Sequence, residues 1–495
     1  MNRLVVSAAH KSSGKTTVCI GLCAALRARG TVVQPFKKGP DYIDPLWLGL
    51  AAGRACYNLD PYLSGADEIR AEVVRRMDGA AIGLVEGNKG LHDGLDLDGS
   101  NSNAALAAQI DAPVVLVIDA RGMTRGIAPL ILGYQAFDPS IRIAGVILNQ
   151  VGGARHEAKL CAVIRHYTDV AVLGAVQHDE RMTIVERHLG LVPSNEVAAA
   201  RVHVEAIEAL IAAQVDLDAV LAVAALAAPL AGTASLARAP ARTPVLAPVR
   251  VGIARDAAFG FYYPGDLDAL RSAGAELVAF DTLRDQRLPP LDGVFIGGGF
   301  PETHLDALAA NRGLRAELRA AIDAGLPAYA ECGGLMYLAR SIEWNGRRVE
   351  MVGALPADIV MHARPVGRGY VHLRETGRGP WPAPQPGAAT LIRAHEFHYS
   401  SVENLAPGTR FAYAVERGHG IDGRNDGIVH KNLLASYAHL RDVAGSPWAG
   451  RFVAFIRRCK RDASLARLPL ERRRKERSDL GHAVPVGRGV PEEVP

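Results

Sequence analysis

The stretch AHKSSGKTT at positions 9–17 restricts the fold more than any other feature, because it lies between a short β-branched run and a helical pattern. It matches the P-loop pattern G-x-x-x-x-G-K-[ST] at Gly14, Lys15 and Thr16, and Ala9 replaces the first glycine. In such a strand–loop–helix unit, backbone N–H groups of the loop and of the helix N-terminus bind phosphates. Lys15 would reach the β- and γ-phosphates, and the Thr16 hydroxyl would ligate Mg²⁺. The sequence therefore predicts a nucleotide site here; a chance loop of serine and glycine is the alternative.

Strand-like and helix-like segments alternate along two parts of the chain, which predicts an α/β fold with two domains. Continuous apolar runs at 82–86, 113–120, 142–151 and 170–176 are typical of strands buried on both faces of a parallel sheet. A segment rich in Pro, Ala, Ser and Thr separates the two parts and is predicted to be a linker. The predicted units are a P-loop domain over 1–226, a linker over 227–248, a second α/β domain over 249–456 and a tail over 457–495.

The tail carries the positive charge of the chain. The 495 residues include 56 Lys or Arg and 52 Asp or Glu, a formal net charge of +4. Ten basic and four acidic residues lie between 457 and 479, so the formal charge of the remaining chain is close to zero. So small a net charge does not by itself indicate nucleic acid or a membrane as a partner, and neither is predicted. We expect a solvated helix end followed by a disordered tail; a docking arm for an acidic partner or an anionic tetrapyrrole is the alternative.

Cysteine placement and apolar runs indicate the compartment. The six cysteines are scattered without a C-x-x-C pair, as is typical of a reducing cytoplasm. The N-terminal sequence lacks the long apolar region of a signal peptide, and the Ala-rich stretch at 215–231 is interrupted by two aspartates and a proline. The sequence therefore predicts a cytoplasmic protein without a membrane span.

Carboxylates follow two of the predicted strands. Asp41 and Asp44 lie in KKGPDYIDP, and Glu86 and Asp93 lie in VEGNKGLHDG. The carboxyl ends of parallel strands are where α/β sheets bind ligands, and Mg²⁺ prefers hard oxygen ligands. With a P-loop upstream, these residues are candidates for holding the metal of a nucleotide. A turn with an aspartate cap beside the two flanking prolines is the alternative for Asp41 and Asp44.

The second domain contains a candidate nucleophile. In AYAECGGLMYL a predicted strand ends just before Cys332, and Gly333 opens a predicted helix, the layout of a nucleophile elbow with Cys in place of Ser. The helix N-terminus would favour the thiolate, and the Gly333 N–H could donate to an oxyanion. The loop GGGFPE at 297–302 could supply a second donor, and His439 in ASYAHL is the candidate base. A buried inert thiol and a core histidine are the alternatives.

These motifs resemble those of the cobyrinic acid a,c-diamide synthases, class I glutamine amidotransferases fused to an ATP-dependent amide ligase of the dethiobiotin-synthetase type. The similarity runs in family order from about residue 1 to 457 and includes SSGKTT, KGPDYIDP, EG-x-x-GL-x-DG, ERHLGLVP, ARDAAFGFYY, GGGFPE, AECGGLMYL, HEFHYS and ASYAHL.

The resemblance implies a two-site reaction on an anionic tetrapyrrole, with ATP and Mg²⁺ as cofactors and L-glutamine as nitrogen donor. Cys332 would release ammonia from glutamine through a thioester, with His439 moving the protons. The ligase half would phosphorylate acetate carboxylates of a corrin at positions a and c, and ammonia would displace phosphate. The implied oxyanion hole is Gly298, Gly299 and Gly333. The implied ATP site is Ser13, Gly14, Lys15, Thr16, Thr17 and, as the adenine reader, Asn149. The implied substrate and phosphoryl residues are Lys38, Asp41, Tyr42, Ile43, Asp44 and Asp93, with Tyr42 and Ile43 facing the tetrapyrrole. The implied metal ligands are Thr16, Asp44 and Glu86.

Two departures from the family pattern leave alternatives open. Arg441 stands where most class I amidotransferases have the glutamate of His-x-Glu and where this family generally has a second histidine. What orients His439 is therefore not given by the sequence. Asn88 and Lys89 replace a commoner apolar pair, which keeps sirohydrochlorin or sirohaem open as an alternative tetrapyrrole.

Other classes fit the sequence less well. A P-loop regulatory ATPase with a vestigial second domain would carry a signature lysine at the position of His10. A sister enzyme that amidates later corrin side chains fits KGPDYIDP and HEFHYS less well. The histidines of HEFHYS, His395 and His398, lie on a predicted strand without metal-ligand spacing, so we expect them to shape the glutamine site or the domain interface. The oligomeric state stays open, a homodimer included.

Overall fold

The structure is a computed structural model that describes residues 1–184, 186–187, 190–197, 199–230, 248–382 and 391–466. It confirms the predicted α/β class with a parallel sheet in the first domain. The predicted linker falls mostly on residues 231–247, and the end of the predicted tail on 467–495; both segments lie outside the described residues.

The first domain is a seven-stranded parallel sheet in the order β3-β2-β4-β1-β5-β6-β7. Its strands are β1 (Arg3–Ala8), β2 (Val33–Lys38), β3 (Tyr57–Leu59), β4 (Ile82–Glu86), β5 (Val114–Asp119), β6 (Ile143–Val151) and β7 (Ala171–Gln177), followed by the short antiparallel pair β8 (Glu186–Arg187) and β9 (Gly190–Leu191). Its helices are α1 (Lys15–Ala28), α2 (Ile43–Ala52), α3 (Ala66–Arg76), α4 (Asn103–Gln109), α5 (Ile127–Phe137), α6 (Ala154–Tyr167), α7 (Ala200–Gln214) and α8 (Leu217–Ala224).

Helix α1 lies in the middle of one face of this sheet and packs against α7. Its apolar residues are fully buried, among them Val18, Leu22 and Leu26. Cys19 and Cys23 share this core, one helical turn apart. Because α1 is fixed along its length, the P-loop at its N-terminus is held against the carboxyl edge of the sheet.

The second domain is built on a nine-stranded sheet in the order β12-β10-β13-β15-β24-β23-β22-β19-β20. The first five strands are parallel, and the rest are antiparallel. Its strands are β10 (Val249–Ala254), β11 (Phe259–Phe261), β12 (Ala275–Phe280), β13 (Gly293–Ile296), β14 (Gly298–Gly299), β15 (Ala328–Glu331), β16 (Ser341–Trp344), β17 (Arg347–Glu350), β18 (Asp358–Met361), β19 (Gly367–Glu375), β20 (Leu391–His398), β21 (Ser400–Glu403), β22 (Arg410–Arg417), β23 (Asn425–His430) and β24 (Leu433–Ser436). Its helices are α9 (Pro264–Ser272), α10 (Leu305–Ala310), α11 (Arg312–Asp323), α12 (Gly333–Leu338) and α13 (Trp448–Ala466).

Helix α13 continues to Ala466, past the residue at which the tail is predicted to start. Apolar side chains such as Phe452 and Ile456 hold its first half in the core. Beyond them, the Arg457 guanidinium donates to the Gly274 carbonyl at 3.4 Å, and the Lys460 ammonium lies 2.8 Å from Asp292. Long basic side chains therefore extend the helix after its apolar period has ended.

The two domains contact each other through polar and aromatic side chains. Arg76 of α3 pairs with Asp268 of α9 at 2.6 Å, and Tyr370 of β19 donates to Asp60 at 2.9 Å. Phe261 of the second domain packs into the core of the first. These contacts bring the carboxyl edges of the two sheets together. None of the helices in the described ranges combines the length and apolar character that a bilayer span requires.

Candidate active sites

The P-loop has the backbone geometry of a phosphate cradle. Ser12 and Gly14 have positive φ values of 63° and 82°, and Gly14 begins α1 without a side-chain cap. The N–H groups of the first helical turn are therefore open to a ligand. Asn149 closes one side of the loop, since its amide donates to the Ser13 carbonyl at 2.9 Å. The adenine-reading role of Asn149 stays a prediction.

Thr16, Asp44 and Glu86 meet beside the P-loop. The Thr16 hydroxyl donates to Glu86 Oε1 at 2.5 Å and lies 3.3 Å from Asp44 Oδ2. Lys37, at the end of β2, lies between the two carboxylates, 2.5 Å from Asp44 and 3.1 Å from Glu86. The structure thus brings together the three predicted metal ligands and adds a cation among them.

The donor set fits Mg²⁺. Glu86 is fully buried, and its Oε2 accepts no hydrogen bond from the described residues. Within the described ranges, no three His, Cys, Asp or Glu side chains converge as an ion-holding group of their own. Magnesium at nucleotide sites is held by one or two carboxylates together with phosphate oxygens and water. Glu86, Asp44 and the Thr16 hydroxyl would be sufficient protein ligands for such an ion.

The charged groups in this cluster shift one another's pKa values. Burial would lower the pKa of Lys37, but Asp44 and Glu86 outweigh it and hold that pKa well above its ordinary value. Burial raises the pKa of Glu86, an effect that Lys37 opposes. Lys37 is therefore a permanent cation where negative phosphates would bind. The sequence analysis did not single it out, although strand periodicity places Lys37 and Lys38 on opposite faces of β2.

Lys38 points to the other side of the strand. Its ammonium donates to Asn88 Oδ1 at 3.2 Å and to the main-chain carbonyl of Asn101. Burial lowers the pKa of Lys38 to about 8, although Asp60 opposes the shift. Lys38 is the more easily deprotonated of the two lysines.

The remaining predicted residues of this half lie around the cluster. Asp41 Oδ1 accepts N–H groups from Ile43 and Asp44 at 2.9 and 3.1 Å, which is the aspartate cap weighed as an alternative. Its Oδ2 lies 3.8 Å from the Lys37 ammonium, so Asp41 also faces the cluster. Asp93 is exposed at the rim, where it accepts the Gly90 N–H at 2.8 Å. Thr17 is half-buried in the first turn of α1.

Cys332 occupies a strained turn between β15 and α12. Its φ of 48° and ψ of −105° are unusual for a residue with a side chain, and the residue is 8% exposed. The Cys332 N–H donates to the Ser436 carbonyl of β24 at 2.8 Å. Such strain persists where the surrounding structure fixes the backbone. At a nucleophile elbow, the strained turn places the side chain above the edge of the sheet.

The candidate oxyanion glycines pack around Cys332 and His439. A Cβ at Gly333 would lie 2.9 Å from the Gly299 nitrogen, and one at Gly298 would lie 2.7 Å from His439 Cε1. Only glycine fits at these positions without displacing backbone or the His439 ring. The loop GGGFPE therefore lies beside the elbow, where a donor to an oxyanion is needed.

His439 is buried and lines the same cavity as Cys332. Its backbone exchanges hydrogen bonds with His395 of β20, at 2.7 and 3.3 Å. Arg441 does not reach it as a triad residue would: Arg441 Nη1 lies 3.3 Å from Asp266, and its guanidinium covers the Tyr263 ring at 4.6 Å. The main chain of His439 is fixed by β20, and Arg441, at the position of the usual triad glutamate, pairs with Asp266 and Tyr263 of the same domain instead.

A cavity of about 210 Å³ joins residues of both domains. Cys332 and His439 line it, together with Asp41, Tyr42 and Ile43 of the first domain. Further lining residues include Gly299, Met336, Met361, His395 and His398. HEFHYS thus forms part of the cavity wall, and Tyr42 lies at the boundary between the two sites. Whether Tyr42 and Ile43 also face the tetrapyrrole stays a prediction.

Comparisons with known proteins match both domains. Residues 5–192 match the CobQ/CobB/MinD/ParA nucleotide binding domain, and residues 250–442 match the CobB/CobQ-like glutamine amidotransferase domain. The cobyrinate a,c-diamide synthase of Magnetococcus marinus is 48% identical over 458 residues, which is 92% of this chain and 97% of that protein. The chain belongs to the cobyrinate a,c-diamide synthase family.

Two archaeal members of the cobyrinate a,c-diamide synthase family show the same extent of similarity. The protein of Methanosarcina acetivorans is 40% identical, with 91% of this chain and 94% of that protein aligned. The protein of Archaeoglobus fulgidus is 39% identical, with 91% and 96% aligned. The similarity therefore spans both domains, and the predicted family and ligase class are confirmed.

Proposed function

We propose that this chain uses ATP and glutamine to convert the a and c acetate side chains of cobyrinate or hydrogenobyrinate into amides. The observation that carries the proposal is the shared cavity, in which Cys332 and His439 meet Asp41 and Tyr42 of the nucleotide-binding domain. Ammonia released at the thiol would emerge beside the carboxylate cluster. A hydrolase that discards ammonia would need no such connection.

In the ligase half, the substrate carboxylate would attack the γ-phosphorus of ATP and displace ADP. A carboxylate is a poor acyl donor, whereas the resulting acyl phosphate carries a good leaving group. Lys15 and Lys37 would neutralise the transferred phosphoryl group. Magnesium, bound through Thr16, Asp44 and Glu86, would supply further charge neutralisation. Ammonia would then add to the acyl carbon, and phosphate would leave.

In the glutaminase half, the Cys332 thiolate would attack the side-chain carbonyl carbon of glutamine. His439 would give its proton to the leaving amine, which departs as ammonia. Water would hydrolyse the thioester to glutamate. N–H groups of Gly333 and of the loop at Gly298 and Gly299 would stabilise the oxyanion in both steps.

The test is a substrate panel read by mass spectrometry. Purified protein with Mg-ATP and glutamine is offered cobyrinate, hydrogenobyrinate, sirohydrochlorin and sirohaem. We expect two amides on cobyrinate or hydrogenobyrinate, because the relatives aligned over both domains are named for cobyrinate. Amidation of sirohydrochlorin or sirohaem alone would move the proposal to the alternative macrocycle. A panel in which no compound gains an amide would refute it.

The regulatory-ATPase alternative makes a different prediction, namely ATP hydrolysis without amide formation. The match of the second domain to an amidotransferase family model, together with the Cys332 elbow, favours the ligase.

The proposal also includes magnesium as the metal and the cytoplasm as the compartment. Sedimentation of the purified chain would distinguish a monomer from a homodimer.

A further inference from the structure

His439 has a carboxylate beside it that does not come from the usual His-x-Glu position. Its Nδ1 lies 3.5 Å from Oε2 of Glu331, the last residue of β15. Both side chains are 4% exposed or less, and Nδ1 makes no hydrogen bond within the described residues. A buried ring nitrogen without a partner requires an explanation, and Glu331 is the acceptor in front of it.

Glu331 is itself held in place. Its Oε1 accepts the Leu440 N–H at 2.8 Å and the Tyr329 hydroxyl at 2.5 Å. Tyr329 is fully buried, and Leu440 follows His439 directly in the chain. The carboxylate is therefore anchored through one oxygen, and the other oxygen faces the imidazole.

Other groups around the ring do not offer this contact. Cys332 carries the thiol that His439 would deprotonate, and the Tyr42 ring is tilted by 40° with its centroid 5.0 Å from that of His439. His395 lies 6.4 Å away, and burial lowers its pKa to about 3, so it is neutral. Among these neighbours, Glu331 is the one anion that faces Nδ1.

We propose that Glu331 is the positioning residue that replaces the missing triad glutamate. Its carboxylate keeps the proton of neutral His439 on Nδ1, which leaves Nε2 to accept the thiol proton of Cys332, and it stabilises the imidazolium that forms. The inference rests on the glutaminase half of the proposed function. Glu331 itself undergoes no covalent change, and it neither gains nor loses a proton.

Electrostatics agree with this geometry. Burial would lower the pKa of His439, but its interactions with the Cys332 and Glu331 side chains outweigh burial and raise that pKa to about 10. Imidazolium is thus the stable partner of a thiolate in this site. Removal of the Glu331 charge would make the imidazolium easier to deprotonate.

The test is Glu331→Gln, assayed as glutamine hydrolysis between pH 6 and pH 10.5. Glutamine can keep its carbonyl oxygen on Leu440 and Tyr329, but its NH₂ group would then donate to Nδ1 and favour the wrong tautomer. We expect kcat to fall by roughly 10²- to 10⁴-fold with little change in KM. The alkaline limb of the pH profile should move down by about one unit or more. Glu331→Asp, which keeps the charge, should keep the limb.

Asp426→Asn is the matched control. Asp426 is also a fully buried carboxylate, and it accepts the N–H groups of Tyr437 and Ala438 in the segment that leads to His439. This variant should lower the melting temperature without moving the pH profile. The inference is overturned if Glu331→Gln retains the wild-type profile, or if both variants change the profile alike.

Amidation with ammonium distinguishes a failure of the proposed function from a failure of the role proposed for Glu331. Glu331→Gln should amidate the tetrapyrrole with ammonium at the wild-type rate, which also shows that the variant is folded. If the wild type itself fails to hydrolyse glutamine, the proposed function fails. If the wild type hydrolyses glutamine and the variant is equally fast, only the role of Glu331 fails.

Discussion

The rings of Tyr42 and His439 lie with their centroids 5.0 Å apart and their planes inclined by 40°. Tyr42 stands between Asp41 and Asp44 of the ligase cluster, and His439 is the candidate base of the glutaminase. Tyr42 also stacks on Phe261 and contacts Tyr263 at 4.5 Å. The loop that carries Asp41 and Asp44 therefore places one aromatic ring against the candidate base of the glutaminase site.

Tyr42→Ala should uncouple the two sites. Loss of the ring would open the wall between them, and misplacement of reacting groups by ~1 Å can cost about 10²-fold in rate. We expect more glutamate than amide to be formed, and glutamine-dependent amidation to fall by roughly tenfold or more. The measurement is the ratio of glutamate to amide product. Tyr42→Phe keeps the ring and should keep a ratio near one; an unchanged ratio in Tyr42→Ala would contradict the coupling.

Glu86→Gln should disable the ligase and spare the glutaminase. The substitution removes a buried carboxylate that pairs with Lys37 at 3.1 Å and accepts from Thr16 at 2.5 Å. We expect ammonia-supported amidation to fall by about 10²- to 10³-fold, as when one stabilising group of a transition state is removed. Glutamine hydrolysis, measured without the tetrapyrrole, should continue.

Glu72→Gln is the comparison for this variant, because Glu72 belongs to the same domain but pairs with Arg76 at 2.8 Å on α3. It should amidate normally. Equal losses in the two variants would argue against a specific role of Glu86.

The stability contribution of Lys38 should depend on pH. Its folded-state pKa of about 8 lies below the ordinary value of 10.5, so between these values the unfolded chain binds more protons than the folded one. The free energy of unfolding attributable to Lys38 therefore rises with pH in this window, by at most about 3 kcal/mol. Urea unfolding of wild type and Lys38→Met at pH 7.5 and pH 10 measures it. A wild-type gain no larger than that of the variant would contradict the assignment.

The parts of the site that depend on local sequence could be predicted. The P-loop and the Cys332 elbow are each a strand, a tight turn and a helix, so their chemistry lies within about ten consecutive residues. The carboxyl-edge rule for parallel sheets likewise placed Asp44 and Glu86 near Thr16. These predictions needed only the order of the elements.

The parts that depend on tertiary contacts could not be predicted. Glu331 precedes the nucleophile directly, but its relation to His439 spans 108 positions of the chain and depends on the pairing of β15 with β24. Which of Lys37 and Lys38 faces the carboxylate cluster depends on the exact register of β2, and a run of two lysines does not reveal that register. Helix α13 runs past its apolar period, and there Lys460 pairs with the distant Asp292, a contact that the sequence does not reveal.

The most direct test of the account follows the amide nitrogen. Wild type and Cys332→Ala are each given Mg-ATP, cobyrinate, ordinary ammonium and glutamine with a heavy nitrogen isotope in its side-chain amide. Mass spectrometry of the product should show heavy nitrogen in both new amides with wild type and only ordinary nitrogen with the variant. Heavy nitrogen in the product of Cys332→Ala, or no amide with wild type, would contradict the account.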